Sequence, residues 1–304
     1  MLVGACGGAQ NPHSRADQTA ATLPSILLVT LDTTRADTIG PEARGVETPF
    51  FNALAARGRR FRQAYATAPE TLPSHASMMT GLYPAGHTIR ENARYLPQGH
   101  PVLAERLRQT GYRTAAFVSS FVLSRRFGLA RGFDVYDDEL SAGHAERAAR
   151  ETTDRALASL ERVSRQPLLL WVHYFEPHAP YAPPEPFRSR YAKAPYLGEI
   201  AAMDEQLGRL VLEFERRAPG PVAILAVGDH GEGLGDHGES QHGHLVYQAT
   251  IHVPLLVVGP GLAPGVSDTP VSTRRVFHTI LDWAGPSPRA ACAGRSPRSS
   301  SARP

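Results

Sequence analysis

Five short, unbroken apolar runs punctuate the chain: ILLVTLD at 26–32, TAAFVSS at 114–120, LLLWVHYF at 168–175, VAILAVGD at 222–229 and VPLLVVG at 253–259. Runs of this kind suit strands covered on both faces, whereas a strand wetted on one face would alternate apolar with polar positions. Between them lie stretches of helical character at 101–110, opening on Pro101, at 143–163 and at 197–217, with another near 275–285. Within 197–217, Ile200, Met203, Leu207 and Leu210 recur at near-helical spacing and make a core-facing stripe. Strands separated by helices predict an α/β fold: a mostly parallel central sheet sandwiched by helices, with ligands gathered at the carboxyl ends of its strands.

Both ends of the chain break this pattern. Residues 1–24 are rich in Ala, Gly, Gln, Ser and Thr without periodicity and read as a flexible tail or tether, and 287–304 are mostly Pro, Ser, Arg and Ala with little to bury, for which disorder is expected. The fold is therefore assigned to 25–286. With 304 residues, 42% hydrophobic and 20% charged, the chain suits one substantial globular domain. Its net charge of +3 comes from arginines interspersed with acids, so no nucleic-acid partner is implied. The two cysteines, Cys6 and Cys292, sit in the terminal stretches, which argues against a disulfide framework or a thiolate metal site. MLVGACGG resembles a bacterial lipobox with Cys6 as the lipidated residue, although no charged region or apolar run precedes it; the other reading is a tail of small residues. Any membrane association is expected only through such an anchor, and an extracytoplasmic location, periplasmic or lipid-anchored, goes with it. No apolar run reaches the ~18 residues that span a bilayer.

Two of the apolar runs end in acids. LLVTLD places Asp32, and ILAVGDHGE places Asp229 followed by His230, at strand carboxyl edges, where carboxylates and an imidazole can hold a divalent cation. The alternative for a strand-terminal acid is a helix cap or a turn. In ETLPSHASMMTGLYP, Pro73 suits a first helical turn and puts Thr71 at a helix N-terminus, where unpaired N–H groups and the helix dipole would favour an alkoxide and an incoming anion. Taken alone, the segment favours Thr71 as merely an N-cap.

Across roughly 25–285 the chain resembles the sulfatase family of the alkaline phosphatase superfamily. The resemblance lies in TLDTTRADTIG, TPFFNALAARG, TLPSHASMMTGLYP, LAERLRQTGYRTAAF, WVHYFEPHAPYAPP and DHGEGLGDHGE before VPLLVVGPG, in family order. It implies one metal bound by Asp32, Asp229 and His230, completed by the oxygen of Thr71 as nucleophile, and a covalent ester that water hydrolyses. His178 in EPHAPY matches the histidine that contacts substrate and assists the leaving group. His242 and His244 both fall where relatives neutralise the substrate's oxyanion, with His242 preferred. Arg35 and His75 are secondary candidates for anion contacts.

The chain departs from the family where formylglycine is made. C/S-x-P-x-R has become Thr71, with His75 at the arginine position, and threonine cannot become that aldehyde; the site is closer to the threonine-type members, and no formylglycine is expected. FVSSFVLS replaces a segment carrying a sulfate-holding lysine and histidine, and Asp32-Thr33 replaces a pair of acids, so Zn²⁺ or Mn²⁺ is favoured over Ca²⁺. The family's small C-terminal subdomain is expected to be absent or truncated. Together these features predict a metal-dependent hydrolase of sulfuric or phosphoric esters acting on a small molecule, glycan or lipid. A phosphoglycerol- or phosphoethanolamine-type transferase and a non-catalytic binding protein with the same fold are the alternatives.

Overall fold

A computed structural model describes residues 23–162 and 165–285 of the protein. The expectations placed on the tails, namely the lipid anchor at Cys6, the position of Cys292 and the fate of the C-terminal subdomain, fall outside these residues.

The strands are β1 Ser25–Leu31, β2 Arg59–Tyr65, β3 Arg113–Phe117, β4 Val135–Asp137, β5 Leu168–Tyr174, β6 Val222–Gly228, β7 His252–Val258, β8 Gly265–Ser267 and β9 Val271–Ser272. The helices are α1 Pro49–Arg57, α2 Thr71–Thr80, α3 Pro84–His87, α4 Leu103–Gln109, α5 Ala149–Ser159, α6 Phe187–Arg190, α7 Pro195–Arg217, α8 Gln248–Ile251 and α9 Arg275–Ala284. One sheet runs in the order β4-β3-β5-β1-β6-β7-β2-β8, with β9 also on β2. It is parallel except for β7, which is antiparallel to both β6 and β2. The fold is thus the mixed α/β architecture that the apolar runs predict, with helices on both faces.

The pleat divides β1 between two cores. Ile26 and Leu28 pack with α2, α4 and α9, while Leu27, Val29 and Leu31 pack with α1, α5 and α7. All five are fully buried, each worth about 1.5–3 kcal/mol of transfer free energy. The stripe of Ile200, Met203, Leu207 and Leu210 on α7 lies in the second core, as its spacing requires. Gly81 closes α2 at φ 72°, with the Phe277 ring of α9 2.7 Å from where a Cβ would stand.

Two elements differ from the sequence pattern. The helix expected from 143 begins only at Ala149, because Arg147 turns inward to pair with Asp137 (2.6 Å) and to donate to the Val118 carbonyl (3.0 Å), which holds 145–147 extended against the end of β3. The polar run RRFRQAY forms β2. Its arginines leave the sheet to pair with Glu42 and Asp268, so no apolar run announces the strand.

Candidate active site

Three neighbouring parallel strands deliver the cluster. The carboxyl end of β1 carries Asp32, its neighbour β6 carries Asp229 and His230, and β5 on the other side carries His173. Backbone bonds from Asp32 N–H to the Tyr174 carbonyl (3.0 Å) and from Asp229 N–H to the Leu31 carbonyl (3.3 Å) continue the ladder one residue beyond each strand, so both side chains project at the sheet edge. From above, α2 brings Thr71, whose Oγ1 lies 3.2 Å from His230 Nε2 and 3.5 Å from Asp32 Oδ1. The glycines of DHGEG serve close approach: Gly231 donates to the Thr250 carbonyl (2.8 Å), and a Cβ there would stand 2.0 Å from the Ala249 carbonyl oxygen.

Asp32, Asp229 and His230 are completely buried, and one donor atom from each falls within 4.8 Å of the others. His230 Nε2 lies 3.3 Å from Asp32 Oδ1 and 3.6 Å from Asp229 Oδ2. Its other nitrogen, Nδ1, faces the Gly231 carbonyl at 2.9 Å and so carries the proton, which leaves a lone pair on Nε2 aimed into the cluster. Asp32 Oδ2 and Asp229 Oδ2 are buried without a hydrogen-bond partner. Burial works to raise both acids. For Asp32, the flanking imidazoles of His173 and His230 outweigh it and hold the carboxyl well below its ordinary range, whereas for Asp229 burial and the Asp32 charge act together and push it well above. Two buried carboxylates that cannot both ionise unaided, two unpaired oxygens and a convergent imidazole lone pair fit a divalent cation.

A second set of possible ligands, His75, His173 and Asp229, is equally buried, but its tautomers suit it poorly to a metal. His75 Nδ1 contacts the Thr71 carbonyl (2.7 Å) and must donate to it, and burial, with His173 beside it, lowers the ring to about 3, so Nε2 accepts from the Thr30 hydroxyl (2.9 Å). Thr30 in turn accepts from the Trp171 indole N–H (3.0 Å). The chain Trp171 to Thr30 to His75 to the Thr71 carbonyl thus runs in one direction with every proton placed. His173 accepts the Ser119 N–H on Nδ1 (3.3 Å), which leaves its Nε2–H facing Asp32 Oδ2 at 3.3 Å, too misaligned for a full hydrogen bond. It orients a carboxylate rather than ligating.

His75 therefore differs from its expected part as an anion contact: it is fully buried, with both nitrogens engaged beneath Thr71. Arg35 stands on the rim but is held by Asp37 and Asp236, each at 2.8 Å, which raise its guanidinium further. Thr71 is the first residue of α2 and Glu70 its cap, with no side-chain cap bond. The cradle of free N–H groups expected there is reduced, because Pro73 has none and the Leu72 N–H is taken by Asn92 Oδ1 (2.9 Å).

His230, His242 and His178 form a row, with ring centres 4.4 Å and 5.1 Å apart. His242 Nδ1 binds Glu232 Oε1 (3.1 Å), and the Tyr181 hydroxyl donates to the other oxygen (2.9 Å). His178 donates from Nδ1 to the Ala179 carbonyl (2.8 Å) and stacks on Phe175 (4.3 Å), which leaves its Nε2 free. His244 is more exposed and lines an adjoining cleft, so His242 is the nearer of the two to the cluster. Sequence reasoning passed over His173 and Glu232. A lone histidine inside the run LLLWVHYF was the available signal for the first, and an acid between two glycines for the second.

An alkaline-phosphatase-like sheet with this cluster at its carboxyl edge defines a class, the ester hydrolases of the alkaline phosphatase superfamily. Residues 24–286 match the family model "Sulfatase", and the chain belongs to the sulfatase family. It is 25% identical to the choline-sulfatase of Rhizobium meliloti, covering 86% of this chain and 68% of that protein. It is 23% identical to the multifunctional alkaline phosphatase superfamily protein PehA of Trinickia caryophylli, covering 90% and 76%. Among solved structures, the phosphonate monoester hydrolase SpPMH of Silicibacter pomeroyi shares the fold with a TM-score of 0.73 at 22% identity, covering 91% of this chain and 78% of that one.

Proposed function

We propose that this family member cleaves sulfate or phosphate-type esters with Thr71 as nucleophile, beside a single divalent cation held by Asp32, Asp229 and His230. The observation that carries the reading is the position of Thr71 Oγ1, within 3.5 Å of both Asp32 Oδ1 and His230 Nε2. A cation bound there supplies positive charge that lowers the pKa of the Thr71 hydroxyl. One imidazole nitrogen and two carboxylates suit Zn²⁺ or Mn²⁺ better than Ca²⁺. Thr71 Oγ1 bonds to sulfur or phosphorus as the bond to the leaving oxygen breaks, and water then hydrolyses the threonine ester. His178, through its free Nε2, takes up the proton that the Thr71 hydroxyl gives up and passes it to the leaving oxygen, and His242, oriented by Glu232, faces the charge on the transferred group. Because the Thr71 Cβ bears a methyl group, oxidation there would give a ketone rather than an aldehyde, so the hydroxyl itself serves. The sulfate ester named for the choline-sulfatase relative and the phosphonate monoester named for the structural neighbour supply the substrates to try.

The test combines metal analysis with turnover of aryl sulfate, phosphate monoester, phosphate diester and phosphonate monoester by the wild type, Thr71→Ala and Thr71→Ser. Wild type should turn over at least one ester with one cation bound. Thr71→Ala should lose at least about 10³-fold in kcat, and Thr71→Ser should keep measurable activity. Wild-type rates in Thr71→Ala would rule out the nucleophile.

A further inference from the structure

Beside the histidine row lies a cleft of about 620 Å³, lined by Glu70, Arg90, Asn92, His242 and His244 among others. It is large enough for the alcohol portion of a small ester. Its wall is fixed to the nucleophile helix: Asn92 accepts the Leu72 N–H through Oδ1 (2.9 Å), and its own N–H donates to Glu70 Oε2 (2.8 Å). The loop bearing Arg90 is thereby held to the residues on either side of Thr71. His242 belongs to both places, since its ring also lies 4.4 Å from that of His230.

The charges in this cleft are unequally used. Glu91 is paired with Arg94, and Glu70 accepts the Asn92 N–H. Arg90 is exposed and has no hydrogen bond or ion pair with any described residue, and the His244 ring is likewise unpartnered. Arg35, the expected anion contact, is saturated by two aspartates, whereas Arg90 keeps its donors to offer in this cleft. A guanidinium presents a planar fork of N–H groups that suits carboxylate, sulfate and phosphate oxygens.

We propose that Arg90, assisted by His244, forms a subsite for an anionic group on the alcohol portion of the ester, so that the enzyme prefers substrates bearing a second negative charge away from the bond that breaks. This deepens the ester-hydrolase reading and rests on it. Binding is measured by calorimetry in a Thr71→Ala background, using phenyl and 4-carboxyphenyl esters, each as sulfate and as phosphate. The 4-carboxyphenyl ester should bind about tenfold more tightly than its phenyl counterpart. Adding Arg90→Ala should bring the ratio to about one, while Arg90→Lys should keep part of it. A ratio near one in Thr71→Ala itself, no binding of either carboxylated ester, or a preference that survives Arg90→Ala would each overturn the subsite. Absence of turnover by the wild type would instead fault the hydrolase reading, because the binding ratio does not depend on turnover.

Discussion

Thr30→Val probes the support beneath Thr71 without changing the shape of the core. Thr30, His75 and Trp171 are all completely buried. The Thr30 hydroxyl accepts from the Trp171 indole N–H (3.0 Å) and donates to His75 Nε2 (2.9 Å). Valine has nearly the same volume, so no cavity opens, but both partners lose their hydrogen bond at once. Each buried polar group left unpaired costs about 1–3 kcal/mol, and the added methyl offsets less than about 1 kcal/mol. A net loss of about 2–5 kcal/mol follows, which at an m-value of about 3 kcal/mol per molar lowers the urea midpoint by about 1 M. Thr30→Ser retains the hydroxyl and should lose much less. The assay is urea unfolding of both variants by circular dichroism. If Thr30→Val moved the midpoint by less than about 0.2 M, or if Thr30→Ser did equal damage, the directed chain from Trp171 to the Thr71 carbonyl would be wrong.

Three other outcomes are expected. Glu199 is 5% exposed, accepts the Ala182 N–H and keeps Oε2 unpaired, and burial raises its carboxyl from 4.5 to about 8. The folded form therefore holds its proton more tightly, so stability falls as pH rises through that window; Glu199→Gln should remove about 3 kcal/mol of the decline between about pH 5 and 8, and an unaltered slope in unfolding titrations would refute the assignment. His173→Phe removes the N–H facing Asp32 and should weaken Zn²⁺ or Mn²⁺ binding about 10–100-fold in calorimetry, whereas unchanged affinity would show that His173 merely fills space. Gly81→Ala forces a side chain into the left-handed region 2.7 Å from Phe277 and should cost about 1–3 kcal/mol, read as a lower melting temperature with α9 loosening first in hydrogen exchange.

The sheet was legible because its central strands are buried on both faces, and such strands declare themselves as unbroken apolar runs. β2 gave no such signal, since arginines that pair with acids outside the sheet make its pattern polar. The reversed direction of β7 was equally hidden, because a strand covered on both faces looks the same in sequence whichever way it runs. Asp32, Asp229 and His230 could be placed because each follows an apolar run directly. The part taken by His75 could not. Spacing puts it one helical turn beyond Thr71, but only the rotamer shows that the ring points down to Thr30 instead of out to a ligand. His173 and Glu232 act through residues distant in sequence, so neither has a local pattern to betray it.

All ten residues of α2, from Thr71 to Thr80, are buried, whereas α7 exposes one flank along its length. An amphipathic helix accepts substitution on a repeating fraction of its positions, and saturation mutagenesis of α7 should show tolerance that rises and falls every three to four residues. In α2 there is no outward position on which drift can accumulate. Its profile should be a flat, contiguous stretch of intolerance, and compensating changes should map to its neighbours Trp171, Phe277 and His87 rather than to the helix itself.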